Sequence, residues 1–348
     1  MSDSTRDFIH PYSEGDELRI LKLFNEVFCS NRSLDHWNWQ FINHVQGRGW
    51  ITLAEIDREV IGQYALMRNH LNFMGREIVA GQSCDTVVKA DQRGKGLFTR
   101  LAEFNYAHAM QSGLKAVFGF PNRNSYPGFM RNLDWYRITN LKRFYYRIGF
   151  KKLFGSRIDQ FLKRIHAIPH RINVFIDSMR MHGDAEIIVS SHVPESLNGV
   201  LEEALDHEVL SIWKDMPYLR WRYENHPENH YHFHILNYKG RAEGVIITRE
   251  REDTIVICDL IHRKKNILQT VFLLNHVLNY YIKSNAQIVE FYGYDNGYFD
   301  AVFLKSGFDI VPSSNYVLGG RVFENPKLEK MFVLPHNWTI AYGDIDVI

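Results

Sequence analysis

The stretch DTVVKADQRGKGLFTRLAEF, residues 85–104, changes character twice within a few turns of chain. Its opening β-branched run, Thr86-Val87-Val88, reads as the end of a strand. A short turn holding Arg93, Gly94, Lys95 and Gly96 follows. A helix then begins at Leu97, with Leu97, Leu101, Phe104 and His108 expected on one side. A strand, a glycine turn and a helix start in that order make a cradle for an anion. Glycine lets backbone N–H groups approach a ligand closely, and the helix N-terminus adds a partial positive charge. Arg93 and Lys95 add full charges. A plain surface turn can carry the same two glycines, so the surrounding chain has to decide between the readings.

Working outward, the chain repeats itself. WQFINH at 39–44 returns as WRYENH at 221–226, 182 positions on. Gly62 in VIGQYALM and Gly244 in EGVIITR keep the same offset inside strand-like surroundings. Asp85 in QSCDTVV and Asp259 in IVICDLI are then 174 apart. A β-hairpin longer by four residues per strand in the first copy accounts for the change. It turns at Met74-Gly75 in the first copy and at Glu252-Asp253 in the second. An even change per strand keeps every side chain on its original face. LDWYRI at 133–138 matches SGFDIV at 306–311 within about a residue of that offset.

Each copy then reads alike. A helical opening comes first, with Leu18, Leu21, Phe24 and Phe28 expected on one face in the first copy. Antiparallel strands follow, then a helix (97–111; 267–283), a buried strand (AVFGF; QIVEFY), a short helix and a last strand. The fold class is therefore α+β, an α/β mixed sheet, in two tandem domains. The expected division is 1–140, a connector at 141–185, and 186–348.

Composition narrows the function classes. With 41 basic and 40 acidic side chains the net charge is +1, which argues against a general nucleic-acid binder. Three cysteines, Cys29, Cys84 and Cys258, are too few and too scattered for a disulfide framework, so a reducing cytoplasm is expected. The polar opening MSDSTRDFIHPYSEGDE is no signal peptide, and Asn275, His276 and Asn279 interrupt the best apolar run, so no membrane span is expected. Between Lys142 and Arg171 lie nine Lys or Arg and one acid, Asp159. That stretch reads as a strand and an amphipathic helix with a solvated basic face, as a membrane-docking surface, or as the lining of an anionic-substrate site. PSSNYVLGGRVF offers turn glycines, and WTIAYGDIDVI reads as a strand with an acidic tail.

Residues 93–98, RGKGLF, resemble the (Arg/Gln)-x-x-Gly-x-(Gly/Ala) motif of the GNAT superfamily of acyl-CoA-dependent N-acyltransferases. Arg93 and Gly96 match, whereas Phe98 departs from the small residue of the pattern. PNRNSYPGFMRNLDW is similar to the family's following helix, with Asp134 where glycine is common. The resemblance covers about 7–138 well and about 210–325 more weakly. It implies acyl-CoA, acetyl or longer, as cosubstrate, with no metal. It further implies that the backbones of Thr86, Val87 and Val88 hold the pantetheine arm and polarise the thioester carbonyl. Arg93, Gly94, Lys95, Gly96, Leu97 and Phe98 would hold the pyrophosphate, and Asn122 and Ser125 would meet the arm from the far side.

Acyl transfer to an amine also needs a base and an acid. Asp85 is either that base or a hydrogen-bonded structural aspartate, as the presence of Asp259 at the equivalent place also allows. Met130 occupies the family's usual tyrosine position, and Tyr126, one turn earlier, is the substitute candidate acid. The second copy has IHRKKNIL where the loop would be, without glycine, so a single acyl-CoA site in the first copy is expected. The layout resembles bacterial sugar N-acyltransferases that act on a nucleotide-linked amino sugar for surface polysaccharide by direct transfer in a ternary complex. Alternatives are an aminoglycoside or peptide N-acetyltransferase, or a non-catalytic CoA-binding or membrane-docked module.

Overall fold

A computed structural model describes residues 8–149 and 183–345. The chain forms two compact units, and neither is a continuous segment. The first gathers Met1–Leu71, Glu77–Thr139 and Asn315–Leu334; the second gathers Asn72–Arg76, Asn140–Ser314 and Pro335–Ile348. A break falls at Thr139/Asn140, beside the expected residue 140, while residues 315–334 gather with the first unit. Most of the basic connector, 150–182, lies outside the described residues.

In the first unit, β1 (Phe8–Pro11), β2 (Trp50–Ile56), β3 (Glu59–Phe73), β4 (Arg76–Val88) and β5 (Ala116–Gly119) lie in sheet order. Helices α1 (Glu17–Phe28) and α2 (Leu34–Phe41) precede β2, and α3 (Leu97–Gln111) joins β4 to β5. Helix α4 (Tyr126–Asn132) then leads into β6 (Tyr136–Arg147). β4 and β5 are parallel, as a helical crossover requires, while β1, β2 and β3 pair antiparallel. Leu97, Leu101, Ala102, Tyr106 and Ala109 of α3 bury against Tyr64, Leu66, Phe129 and Trp135. Phe104 and His108 face solvent instead of the core, as do Leu18 and Phe28 of α1, which buries Ile20, Leu21 and Leu23. In α3 the packed face carries Phe98 and Tyr106 and leaves Phe104 outside.

The second unit holds β7 (Ala185–Ser190), α5 (Asn198–Asp206), β8 (Leu210–Ile212), β9 (His232–Tyr238), β10 (Arg241–Arg251) and β11 (Thr254–His262). Next come α6 (Ile267–Tyr281), β12 (Ile288–Gly293), α7 (Tyr298–Lys305), β13 (Asp309–Val322) and α8 (Pro326–Phe332), of which α8 and the part of β13 from Asn315 onward lie in the first unit. Its sheet runs β7-β9-β10-β11-β12, with β11 and β12 parallel. Fully buried Phe144, Phe291 and Phe303 stack within 5.7 Å of one another at its centre.

The strand beside β5 is the late strand β13, with Gly319↔Gly119 through Val322↔Ala116. The strand beside β12 is the earlier β6, with Ile288↔Arg147 through Gly293↔Lys142. Each unit thus takes a strand from the other half of the chain. Gly319 and Gly320 are strand residues, not the turn residues expected. A Cβ on Gly320 would lie 2.3 Å from the Val117 carbonyl oxygen, so only glycine allows that pairing.

The duplication survives in detail. β3 and β4 are each four residues longer than β10 and β11, and the turns fall at Met74-Gly75 and Glu252-Asp253. Trp39 and Trp221 are both buried. His44 Nδ1 accepts the amide of Gln46, and His226 Nδ1 accepts that of Glu228, each at 3.1 Å. The two hexapeptides are packing turns closed by a buried histidine.

Burial lowers the His234 imidazole to about 3, with His232 adding to the shift, and lowers His262 to about 4. Both are therefore neutral in the folded state at pH values where an unfolded histidine, near 6.5, is charged. Between those limits the unfolded chain binds more protons, so stability falls as pH drops from about 6.5 toward 4. Urea midpoints at pH 7 and pH 4.5 should show this loss, and His234→Gln should show a smaller one. An equal loss in the variant would remove His234 from the account.

Candidate active site

Pairing of β4 with β5 begins at Ala80↔Ala116 and ends at Ser83↔Gly119. β4 nevertheless continues to Val88, so Thr86, Val87 and Val88 extend past the last paired residue. Asp85 takes φ +50° just where the strands part. That left-handed backbone is tolerable for aspartate and re-aims the strand in the manner of a bulge. The carbonyl oxygen of Asp85 accepts from Gln63 Nε2 at 2.9 Å. Its carboxylate is paired with the Arg32 guanidinium, and the Asp85 side chain is only 7% exposed. Arg32 also donates to Gln40 Oε1 at 3.3 Å and lies 4.2 Å over the Phe24 ring. Residues expected to act separately here are thus joined by a cation from the α1–α2 segment that the sequence reading missed. A signal was present. Arg32 and Lys214 stand 182 apart and Asp85 and Asp259 174 apart, the same two offsets as the repeat.

After Val88 the chain makes one short 3₁₀ turn, Ala90–Gln92, and enters the glycine loop. Gly94 and Gly96 hold φ +75° and +74°, and nothing lies within 4 Å of a Cβ built on either. Gly96 is the N-cap of α3 and supplies no side-chain cap, so the first-turn N–H groups face an open concavity. Arg93 Nε donates to the Val88 carbonyl at 3.1 Å, and Lys95 Nζ donates to Gln92 Oε1 at 3.1 Å. Both cations therefore stand at the mouth. Phe98 turns inward, with its ring 5.2 Å from Phe129. Gly128 makes room for it, since a Cβ there would lie 3.1 Å from the Phe98 ring. The motif's small residue has moved from the loop helix to its neighbour.

Asn122 Oδ1 accepts the amides of Asn124 and Ser125, and the Asn122 carbonyl accepts that of Tyr126, which shapes the start of α4. Tyr126 sits half-buried at the first position of that helix, and Met130 is half-buried one turn later. Behind the parting of the strands, Trp135 Nε1 donates to the Tyr106 hydroxyl at 3.0 Å, which is 2.6 Å from that of Tyr64. Burial raises both tyrosine hydroxyls, so this chain is neutral and braces the core. The edge of the Trp135 ring closes on Gly119 at the apex.

In the second unit the equivalent turn is built differently. Asn266 caps α6 with its own side chain, accepting the amide of Gln269 at 3.1 Å. Arg263 is buried and donates to the carbonyls of Ala242 and Gly199. The helix end and the nearest guanidinium are already satisfied by the protein.

Comparison with known proteins agrees with this geometry. Residues 9–138 match the family model of an acetyltransferase (GNAT) domain. The first half carries a GNAT acetyltransferase domain. No curated protein matches the sequence. Among solved structures, a probable N-acyltransferase from Enterococcus faecalis V583 is similar with TM-score 0.66 and 12% identity, over 93% of this chain and 74% of that one. A tandem GNAT protein of the clavulanic acid biosynthesis pathway is similar with TM-score 0.57 and 10% identity, over 91% and 98%. A GCN5-related glucosamine N-acetyltransferase region of a fungal multi-domain beta-N-acetylglucosaminidase is similar with TM-score 0.58 and 12% identity, over 91% and 38%. The fold is thus the mixed α/β fold of tandem GNAT proteins, and residues 9–138 are matched by an acetyltransferase domain. Among the described residues no helix is long and apolar enough to cross a membrane.

Removing one partner of the Arg32–Asp85 pair strands a charge that is nearly buried. Arg32→Met should destabilise the first unit by about 3 kcal/mol, measured by urea unfolding. Adding Asp85→Asn should restore most of that, because asparagine keeps the left-handed backbone and carries no charge. A double variant no more stable than the single one would refute the pairing.

Proposed function

We propose that the first unit transfers an acyl group from acyl-CoA to the amine of a nucleotide-linked amino sugar, at a single acyl-CoA site. The observation that carries the reading is the opening between β4 and β5, which leads directly into the uncapped glycine start of α3. Unpaired backbone on one side and free helix N–H groups beyond it suit an extended arm ending in a pyrophosphate. Acyl-CoA supplies the acyl group already activated as a thioester. In this reading the N–H groups of Thr86–Val88 polarise its carbonyl from fixed positions, at no cost in reorganisation. Arg93–Phe98 hold the phosphates, with Asn122 and Ser125 lining the far side. Asp85, aimed by Arg32, takes the proton of the acceptor amine through water, and the Tyr126 hydroxyl gives one to the leaving sulfur.

The acceptor class has two supports. The fungal relative's name concerns an amino sugar. Phe24 and Phe28, ring centroids 4.7 Å apart with planes 48° apart, give an aromatic surface beside Arg32, the partner of Asp85. Met130 at the family's tyrosine position favours a second reading, a CoA-binding module without turnover.

Free-thiol release from acetyl-CoA separates these readings. Turnover is expected with nucleotide-linked amino sugars and not with free glucosamine, aminoglycosides or peptide amines. CoA binding without turnover on any acceptor would establish the binding module. Gly96→Trp should abolish CoA binding, since a side chain at φ +74° fills the concavity. Asp85→Asn and Tyr126→Phe should each lower kcat by about a hundredfold or more while CoA still binds. Unchanged kcat in either would remove that residue from catalysis.

A further inference from the structure

The second unit repeats the parting of the strands. β11 and β12 pair from Thr254↔Ile288 to Ile257↔Phe291, which corresponds to Ala80 and Ser83 in the first unit at the 174-residue offset. Here the opening is occupied by the chain itself. Trp338 bridges Leu210 of β8, and the Thr339 amide donates to the Leu210 carbonyl at 2.9 Å. Ile340 and Tyr294 exchange two backbone hydrogen bonds, both 2.8 Å. Tyr342–Asp344 form a tight turn over β11, with Gly343 against the Cys258 carbonyl. Arg222 donates to the carbonyls of Gly343 and Ile345, each at 2.9 Å. Trp338, Ile340, Ala341, Tyr342, Asp344 and Ile345 are all at most 3% exposed. The segment that reads as a strand with an acidic tail is therefore a buried, bonded insert, and residues 346–348 lie outside the described residues.

Charge fixes its end. Lys214, the counterpart of Arg32, meets Asp259, the counterpart of Asp85, at 2.8 Å, and Asp344 at 2.8 Å. The Tyr223 hydroxyl donates to Asp259 Oδ2, also at 2.8 Å. Burial works against the charge on the Lys214 ammonium, but the two carboxylates outweigh it and hold the group charged. Burial raises the Asp344 carboxyl against the pull of Lys214. Lys265, in the turn before α6, donates to Thr339 Oγ1 at 3.2 Å. Only about 30 Å³ of cavity remains beside Lys214, Asp259, Thr339 and Ala341, room for about one water.

We infer that the second unit keeps the cleft of the duplicated fold as a peptide-binding site, whose ligand is the chain's own segment 338–345, held by backbone pairing and by Asp344 on Lys214. The segment takes the place that an acyl-CoA arm has in the first unit's proposed site. The inference leans on that proposal only for the name of the displaced ligand. The cleft and its occupant stand without it.

Gly343 provides the test in the full chain. A Cβ there would lie 1.9 Å from the Tyr223 hydroxyl oxygen and 3.1 Å from the Cys258 carbonyl, so Gly343→Val should expel the segment. Amide exchange over 338–345 and at Tyr294 should then rise together. A synthetic peptide of residues 335–348 should bind the variant and leave the wild type, already filled, unbound. The same peptide with Asp344→Asn should bind about tenfold more weakly, the value of one charge-assisted contact. Unchanged exchange in the variant, equal binding of the two peptides, or no binding to a variant whose segment has been released would each overturn the inference. Should Gly343→Val fail to fold, Asp344→Asn in the full chain is expected to raise exchange over 338–345, and protection equal to wild type would overturn the inference as well. Thiol release by the first unit is a separate readout, so loss of one reading leaves the other standing.

Discussion

Backbone groups inside a protein must find partners, and two parallel strands that part company leave theirs without any. This constraint organises both units. In the first, β4 runs past its last pair with β5, and the polar groups of Thr86–Val88 look into a gap that opens onto the glycine loop. In the second, β11 and β12 part at the corresponding residues, and a buried stretch of the same chain lies there, bonded to Tyr294 just past β12 and to Leu210. One geometric event, duplicated, leaves an open gap in one place and an internal joint in the other.

Around each parting stands the same electrostatic pair in two forms. Arg32 with Asp85 sits half-open beside Phe24, whereas Lys214 with Asp259 is sealed and shared with Asp344. A guanidinium spreads its charge over a plane and can lie against an aromatic ring, while an ammonium presents a point charge to several carboxylates. The first form suits an open site and the second suits a core. In both copies the pair braces the strand. Any proton transfer by Asp85 is built on that brace.

Much of this was legible in the letters. Strand period and β-branched runs marked the sheets. The two offsets located the hairpins to the residue, because a shift of even length is all that keeps a sheet's faces intact. Gly94 and Gly96 marked the loop, and both take the left-handed backbone that other residues avoid. What escaped was packing. Phe104, His108, Leu18 and Phe28 looked like core and are exposed, since a helix buries only the face its neighbours cover. Phe98 looked like a defect in the motif, yet Gly128, thirty positions on, absorbs its ring.

By itself, then, the sequence determined the kind of elements, the duplicated order and the loop at Arg93–Phe98, because these depend on residues near one another in the chain. Tertiary structure alone decided the exchange of β6 and β13, the partner of Asp85, and the burial of residues 338–345. Each of those joins segments far apart in the chain, and their contacts are chosen by competition among many faces and edges of similar affinity. Local pattern carries no record of which competitor wins.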